Sequence, residues 1–301
     1  MSLLVAAFYR FAALENLPAL RGELLQLAEA QGVSGTILLA PEGVNGTIAG
    51  ADAGVQELLD RLRQVAGLEH LEATVSRSDV QAFHPLKVRL KLEIVAVGEP
   101  QVSPYLASEV GTHVPPGQWD ALIADPDTLV IDTRNAYEVA IGSFEGALDP
   151  GTDTFREFPQ WVEQSLRPLV AERQPKAIAM FCTGGIRCEK ATAYLQQQGF
   201  EGVHHLQGGI LRYLEEVPAQ GSSWWGECFV FDQRVAVNHQ LEPGEHSLCF
   251  ACGLPLAPAD RQLPSYRAGV SCRHCIERFS DSDRARFAER QRQIEHARAS
   301  G

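Results

Sequence analysis

Residues Ala177–Phe200 read AIAMFCTGGIRCEKATAYLQQQGF. The first five, Ala177 to Phe181, are apolar, a run of the length and kind that forms a buried parallel strand. A tight loop follows, Cys182-Thr183-Gly184-Gly185-Ile186-Arg187, with Cys188 next. A helix is predicted after it, with Ala191, Tyr194 and Leu195 at helical spacing and Gly199 as its C-cap. Strand, glycine loop and helix together aim backbone N–H groups at one point, and the helix dipole favours negative charge there. A cysteine at the head of such a loop has its thiolate stabilised and its pKa lowered. Arg187 adds a permanent positive charge that can fork two hydrogen bonds onto an anion, and it is expected to be catalytic together with Cys182. The pattern suits an anionic sulfur at Cys182, either a thiolate or a persulfide. The plainer alternative is an inert cysteine buried after a strand. It leaves unexplained why glycines, arginine and helix start coincide with that cysteine.

Four residues separate Cys182 from Arg187, one fewer than in the phosphate-sized loop of cysteine phosphatases. This shorter loop resembles the active loop of rhodaneses, whose cysteine carries a transferable sulfur. Upstream, Thr128-Leu-Val-Ile-Asp132 reads as a strand and leads into Asp132-Thr-Arg134 and then Gly142-Ser-Phe-Glu-Gly146-Ala-Leu. Downstream, a Gly208-Gly209 turn follows the strand Val203–Leu206. These stretches resemble rhodanese as well, from Trp119 to Leu214. Asp132 and Arg134 are expected to support the neighbouring loop. Alternating strands and helices imply a parallel α/β sheet, with the Cys182 loop at the carboxyl end of its strand. The expected rhodanese domain spans 117–222. The four-proline stretch before it, 99–116, is read as a linker.

The first 98 residues give a strand over Leu3–Arg10, a helix over 17–30, strands over 35–40 and 44–48, and a helix from Asp52 to about Val65. A last strand is expected over Lys87–Val95. The order β-α-β-β-α-β predicts a ferredoxin-like α+β domain. Around its last strand lie His84, Lys87, Arg89 and Lys91, with the latter three on one face and Val88, Leu90 and Leu92 on the other. Such a row of cations either follows a phosphate backbone or is a solvated face.

After Trp224-Trp225-Gly226 the pattern changes. Cys249-x2-Cys252 and Cys272-x2-Cys275 stand nineteen residues apart, the spacing of a tetrahedral structural zinc site. His274, inside the second pair, is a possible substitute ligand, and a redox role for the cysteines is the alternative. A short helix, Asp283–Arg298, carries Arg284, Arg286, Arg290 and Arg292. The region from 223 to 301 is therefore read as a small Cys-rich, zinc-binding part.

The chain has 301 residues, 45% hydrophobic and 21% charged, with seven cysteines and a net charge of −12. The odd cysteine count and paired spacing favour thiol and metal chemistry over disulfides, and a cytoplasmic setting. No apolar run approaches a membrane span, and Met1–Phe11 lacks a basic leader and a cleavage site. The charge is uneven. From Cys249 onward, nine arginines meet six acidic residues, +3, which leaves −15 on the rest. On its face that excess of acid argues against a nucleic-acid partner.

An α+β start, a CTGGIRCEK core, FDQR and a CxxC…CxxC tail together resemble the rhodanese-type tRNA uridine hydroxylases of bacteria. The specific stretches are IDTRNAYEVAIGSFEGA, TFREFPQWV and FCTGGIRCEKA. The resemblance implies hydroxylation at C5 of the wobble uridine, position 34, with molecular oxygen as co-substrate, an unnamed electron donor and the tRNA anticodon loop as partner. It assigns the catalytic cysteine to Cys182. The residues by themselves point to sulfur transfer through Cys182; they display no carboxylate–histidine iron triad, flavin fingerprint or G-x-G-x-x-G. A zinc-bearing RNA-binding protein without catalysis is the third reading. If RNA binds, Lys87, Arg89, Lys91 and the four arginines of the last helix are its expected contacts.

Overall fold

The computed structural model describes residues 2–78, 85–99, 101–102, 104–105 and 110–299; His84 lies outside them. The N-terminal domain holds strands β1 (Leu3–Phe11), β2 (Ser34–Ala40), β3 (Gly43–Gly50), β4 (Ala73–Ser78) and β5 (Lys87–Leu90), with helices α1 (Leu17–Gln31) and α2 (Asp52–Arg63). The sheet order is β4-β1-β3-β2-β5, antiparallel except for β2 with β5. Leu20, Leu24 and Ala28 of α1, and Val55, Leu58, Leu59 and Leu62 of α2, are buried on one face of this sheet. They meet Ala6, Phe8, Ile37, Leu39 and Ile48 there. Burying each leucine removes roughly 1.5–3 kcal/mol of exposed apolar surface. Among the described residues neither α1 nor α2 covers the opposite face, where Ala7, Tyr9, Thr36, Leu38, Asn45 and Thr47 are half-buried.

The ferredoxin-like order thus holds, but its fourth strand is β4 and not the expected Lys87–Val95. Ala73–Ser78 reads ATVSRS, and its one large apolar residue, Val75, is 47% exposed, so no hydrophobic alternation marks it. The basic strand is the fifth, on the far edge, and ends at Leu90. Beyond it the alternation no longer describes a sheet: Leu92 is 84% exposed, while Glu93 and Ile94 turn inward.

The second domain contains β6 (Thr112–Val114), α3 (Pro116–Ile123), β7 (Thr128–Asp132), α4 (Ala136–Val139), β8 (Gly142–Phe144), α5 (Phe158–Trp161), α6 (Arg167–Arg173), β9 (Ala177–Phe181), α7 (Ile186–Gln197), β10 (Val203–Leu206) and α8 (Gly209–Glu216). Its sheet, β6-β10-β9-β7, is wholly parallel. Alternate residues serve opposite cores, as a two-sided sheet requires. Ile178 and Met180 pack toward Ala191, Leu195 and Phe158; Ala179 and Phe181 pack toward Trp119, Ile210 and Tyr213. The stretch expected to be a linker supplies β6, an edge strand too short, between glycine and prolines, to reveal a period.

Residues just past 223 also belong to this body. Here β11 (Trp224–Gly226) pairs with β8, and β12 (Cys228–Phe229) pairs with β13 (Ala236–Val237). Trp224, Cys228, Val230 and Val237 join the core around Trp119 and Phe144. The Cys-rich unit is therefore narrower than 223–301. It comprises β14 (Ser247–Leu248), β15 (Pro255–Leu256), the cysteine cluster and α9 (Asp281–Ala299).

Lys190 of α7 joins the two domains. Its side chain has no exposed surface, and its Nζ lies 2.9 Å from Glu42 Oε2 and 2.6 Å from Glu93 Oε2. Glu42 sits in the β2–β3 turn and also accepts the Ile94 N–H at 2.7 Å. Removing the ammonium alone takes from two buried carboxylates the cation they share. Lys190→Met is expected to lower stability by about 3–5 kcal/mol, read from urea unfolding, whereas Lys190→Met with Glu42→Gln and Glu93→Gln recovers most of the loss.

Candidate active site

Cys182 follows β9 directly and is buried at the floor of a cleft of ≈ 1250 Å³ between the two domains. The loop is held from behind by the start of α8: Ile210 N–H donates to Cys182 O at 2.9 Å and Leu211 N–H to Thr183 O at 3.0 Å. A side chain at Gly209 would place its Cβ 2.5 Å from Cys182 O, so only glycine allows this approach. Gly185 caps α7 at φ 95°, and its N–H donates to Cys182 Sγ at 3.2 Å. A Cβ there would lie 2.8 Å from the Tyr9 hydroxyl. Thr183, Gly184 and Ile186 line the cleft alongside.

Burial alone would raise the pKa of Cys182. The Cys188 thiol, the Arg187 charge and the backbone N–H groups of Cys188 and Arg187 outweigh it and bring the value down to about 6. Cys188 is fully buried, with its sulfur 3.6 Å from Thr133 Oγ1. Burial and the neighbouring Cys182 sulfur push its thiol well above the ordinary value, so the proton of this pair stays on Cys188.

Arg187, expected to fork onto a bound anion, is buried and forks onto Glu138. Nη1 donates to Oε2 at 2.7 Å and Nη2 to Oε1 at 2.8 Å. Glu138 has no exposed surface and also accepts the Asn135 N–H at 3.1 Å, closing a capping box on α4. Burial raises its pKa, but Arg187 more than offsets that, and it stays ionised. Asp132 and Arg134 form a second fully buried pair, at 2.9 and 2.6 Å. Arg134 Nη2 also donates to Gly142 O at 2.6 Å, and Ser143 Oγ to Asp132 Oδ2 at 2.8 Å. That pair ties the β7 turn to β8 and stays behind the loop.

Two residues on the cleft wall, Tyr9 and His113, carry no obvious mark in the sequence. The Tyr9 hydroxyl donates to Glu189 Oε1 at 3.1 Å, and His113 Nε2 lies 3.5 Å from the same oxygen. Phe231, of the FDQR stretch, stands 62% exposed with the Arg187 guanidinium 5.9 Å from its ring centre. Arg234 of the same stretch pairs with Asp232 and reaches Ser76 of β4 at 3.0 Å.

Away from the cleft, Cys249, Cys252, Cys272 and Cys275 bring four sulfurs within 4.8 Å of one another; among the described residues no other group meets that condition. Sulfur separations of 3.9, 3.7 and 3.6 Å match the roughly 3.8 Å edge of a tetrahedron with 2.3 Å metal–sulfur bonds. The four cysteines therefore fit a metal ion. His274 is not a member of the group; its Nε2 accepts from Arg273 at 3.2 Å.

Lys87, Arg89 and Lys91 are exposed. The register aligns Lys87 with Thr36 and Arg89 with Leu38, both on the cleft side of the sheet. The α9 arginines are engaged locally. Arg284 donates to Ile276 O at 2.7 Å, Arg290 to Phe250 O at 2.6 Å, and Arg286 and Arg292 pair with Asp283 and Glu289.

The UPF0176 acylphosphatase like domain matches residues 3–94, and the Rhodanese-like domain matches 116–216. A tRNA uridine(34) hydroxylase of Parasynechococcus marenigrum is 60% identical over 97% of this chain and 93% of its own. This chain belongs to the tRNA uridine(34) hydroxylase family. Another member, from Mesorhizobium japonicum, is 54% identical over 99% of this chain and 94% of its own. Family membership disfavours both the sulfurtransferase and the non-catalytic readings.

The electrostatics of the loop set its pH response. The Cys182 thiolate is expected to persist down to about pH 6 and to be protonated below. Thiolate ultraviolet absorbance, wild type minus Cys182→Ser, should titrate there, and Cys188→Ala should move the midpoint upward by removing a donor to the anion.

Proposed function

We propose that this enzyme hydroxylates C5 of the wobble uridine of tRNA, using the Cys182 thiolate. The observation that carries the proposal is 60% identity over 97% of this chain to a tRNA uridine(34) hydroxylase, in a chain whose cleft floor holds the Cys182 sulfur with the Gly185 N–H on it. Placing one oxygen atom of O2 on C5 and reducing the other to water consumes two electrons, so molecular oxygen and a two-electron donor are the co-substrates. No helix among the described residues is long and apolar enough to cross a membrane. A tRNA substrate places the work in the cytoplasm.

An anticodon loop has unstacked bases that can be splayed into a pocket. The proposed path for it is the uncovered face of the N-terminal sheet. Laterally paired residues point to the same face. Arg89, Leu38, Asn45 and Tyr9 therefore form one row from the sheet edge to the Cys182 loop, and Lys87, Thr36, Thr47 and Ala7 form the next. Edge cations would hold phosphates while Tyr9 and Phe231 offer rings to the base. Lys91 extends the basic edge. The paired arginines of α9 are secondary contacts at best.

In this reading Asp132 and Arg134 support the β7 turn, and the Arg187–Glu138 fork fixes the loop on which Cys182 stands. Zinc is the metal proposed for the four cysteines, which leave no open coordination position, so its role is structural.

Nucleoside mass spectrometry of tRNA tests the function. Cells lacking the gene should regain 5-hydroxyuridine derivatives when given the wild-type chain and not when given Cys182→Ser. Restoration of a thiolated nucleoside instead would establish sulfur transfer. Metal analysis of protein purified without chelator should return close to one zinc per chain, and Cys272→Ser should lose it together with the fold of the C-terminal unit.

A further inference from the structure

Glu189 differs from the buried carboxylates Glu138, Asp132 and Asp232 around the loop. Those three are each closed into an arginine fork. Glu189 is held by a phenol and an imidazole, both of which can pass a proton. Its side chain is 18% exposed and lines the cleft with Cys182. The Tyr9 hydroxyl that holds it comes from the other domain and stands over Gly185, whose N–H binds the Cys182 sulfur. On its far side His113 is 38% exposed, and its ring lies 4.1 Å from that of His205, its neighbour in the β6–β10 register. His205 is buried with both ring nitrogens unpartnered, and burial, then His113, lowers its pKa to about 4. A neutral ring therefore backs His113 and does not compete for Glu189. Burial raises the pKa of Glu189, yet the contacts from His113 and Tyr9 bring it below the ordinary value, so it stands ready as an anion. Burial and the charges of Glu189 and Cys182 keep Tyr9 a neutral donor.

Resting on the C5 hydroxylation proposed above, we propose that Glu189 is the catalytic base that takes the C5 proton of uridine, with Tyr9 and His113 as its positioning residues. Uracil C5=C6 is conjugated to a carbonyl, so the Cys182 thiolate adds to C6 and leaves the electron pair on C5. Oxygenation at C5 draws one oxygen atom from O2. The donor's two electrons, with three protons, reduce the other atom to water and leave the C5 oxygen as a hydroxyl; the later loss of the C5 proton makes the net uptake two protons. The C5 carbon then bears both a hydroxyl and its proton. Glu189 takes that proton, the C5–H electron pair forms C5=C6, and the C6–S bond breaks, returning its pair to Cys182 as thiolate. Glu189 then releases the proton through His113 to solvent. Atoms and charge balance across the elimination, and the thiolate is regenerated.

A base for elimination leaves a specific trace when removed. Full-length chains are expressed in cells lacking their own copy, tRNA nucleosides are measured, and the purified protein is digested with ribonuclease and protease. Glu189→Gln should lower 5-hydroxyuridine by about 100-fold or more and leave Cys182 peptide carrying one nucleotide plus one oxygen atom. Glu189→Asp, which keeps a carboxylate, should retain turnover and show little adduct. An unchanged Cys182 thiolate absorbance in Glu189→Gln would show that the loop is intact. The proposal is overturned if Glu189→Gln works within about threefold of wild type. It is equally overturned if Gln and Asp variants are alike inactive with Cys182 unmodified. Wild-type chain that makes no 5-hydroxyuridine in the same cells would instead remove the hydroxylase reading itself.

Discussion

The ammonium of Lys190, with no exposed surface, is the constraint on which the arrangement of this chain depends. An isolated buried charge costs several kcal/mol, so Glu42 and Glu93 must come to it, and they come from the other domain. The N-terminal sheet is thereby fixed against α7, the helix whose first turn carries the loop. An α-helix rotates about 100° per residue, so four consecutive residues point all the way round it. Here Arg187, Cys188, Glu189 and Lys190 go to Glu138, to Thr133 and Cys182, to Tyr9 and His113, and to Glu42 and Glu93. One helical turn thus registers the active loop against both domains at once.

The same turn explains how a buried sulfur remains an anion. Arg187 would be the natural counter-ion, but Glu138 already fills its guanidinium fork. What remains for Cys182 is mostly short-range: the Gly185 N–H at 3.2 Å, the backbone N–H groups opening the helix, and the Cys188 thiol. Such donors are fixed by the fold and need no reorganisation when a substrate replaces water. Arg187 and Glu138 therefore act as a brace for the loop, and its positive end still adds to the field at the sulfur.

Some of this was legible in the sequence and some could not be. Strands β7 and β9 announce themselves as apolar runs, and the Cys182 loop and four-cysteine spacing are local patterns. β4 is not legible, because ATVSRS buries little and is held by backbone pairing to β1. Nor is β6, three residues at a sheet edge. The partner of Arg187 was partly readable, since Asn135-x-x-Glu138 is a capping-box pattern, but nothing in it says which arginine meets the glutamate. Tyr9 and Glu189 are 180 residues apart, and no spacing rule reaches that far. Three of the α9 arginines have partners on their own helix, which their spacing already marks. Asp281, Asp283 and Glu289 stand three residues before Arg284, Arg286 and Arg292, a spacing that pairs charges on a helix surface.

A chain of net charge −12 faces a difficulty with a polyanionic partner. Its overall field repels tRNA, but at physiological salt that field fades over about 8 Å. What decides capture is then the local surface, and the open face of the N-terminal sheet is unusual in composition. Thr36, Leu38, Asn45 and Thr47 are too polar for a dry interface and too enclosed for a solvated one. They lie in register between edge cations and the tyrosine above the thiolate. Under the proposed function, such a face suits a single strand whose backbone meets Lys87 and Arg89 while one base turns toward Cys182. A duplex, with its bases stacked inward, has nothing to offer the floor of the cleft. Selection for a flexible loop would then come from the depth at which the sulfur sits, and the cations would add register more than affinity.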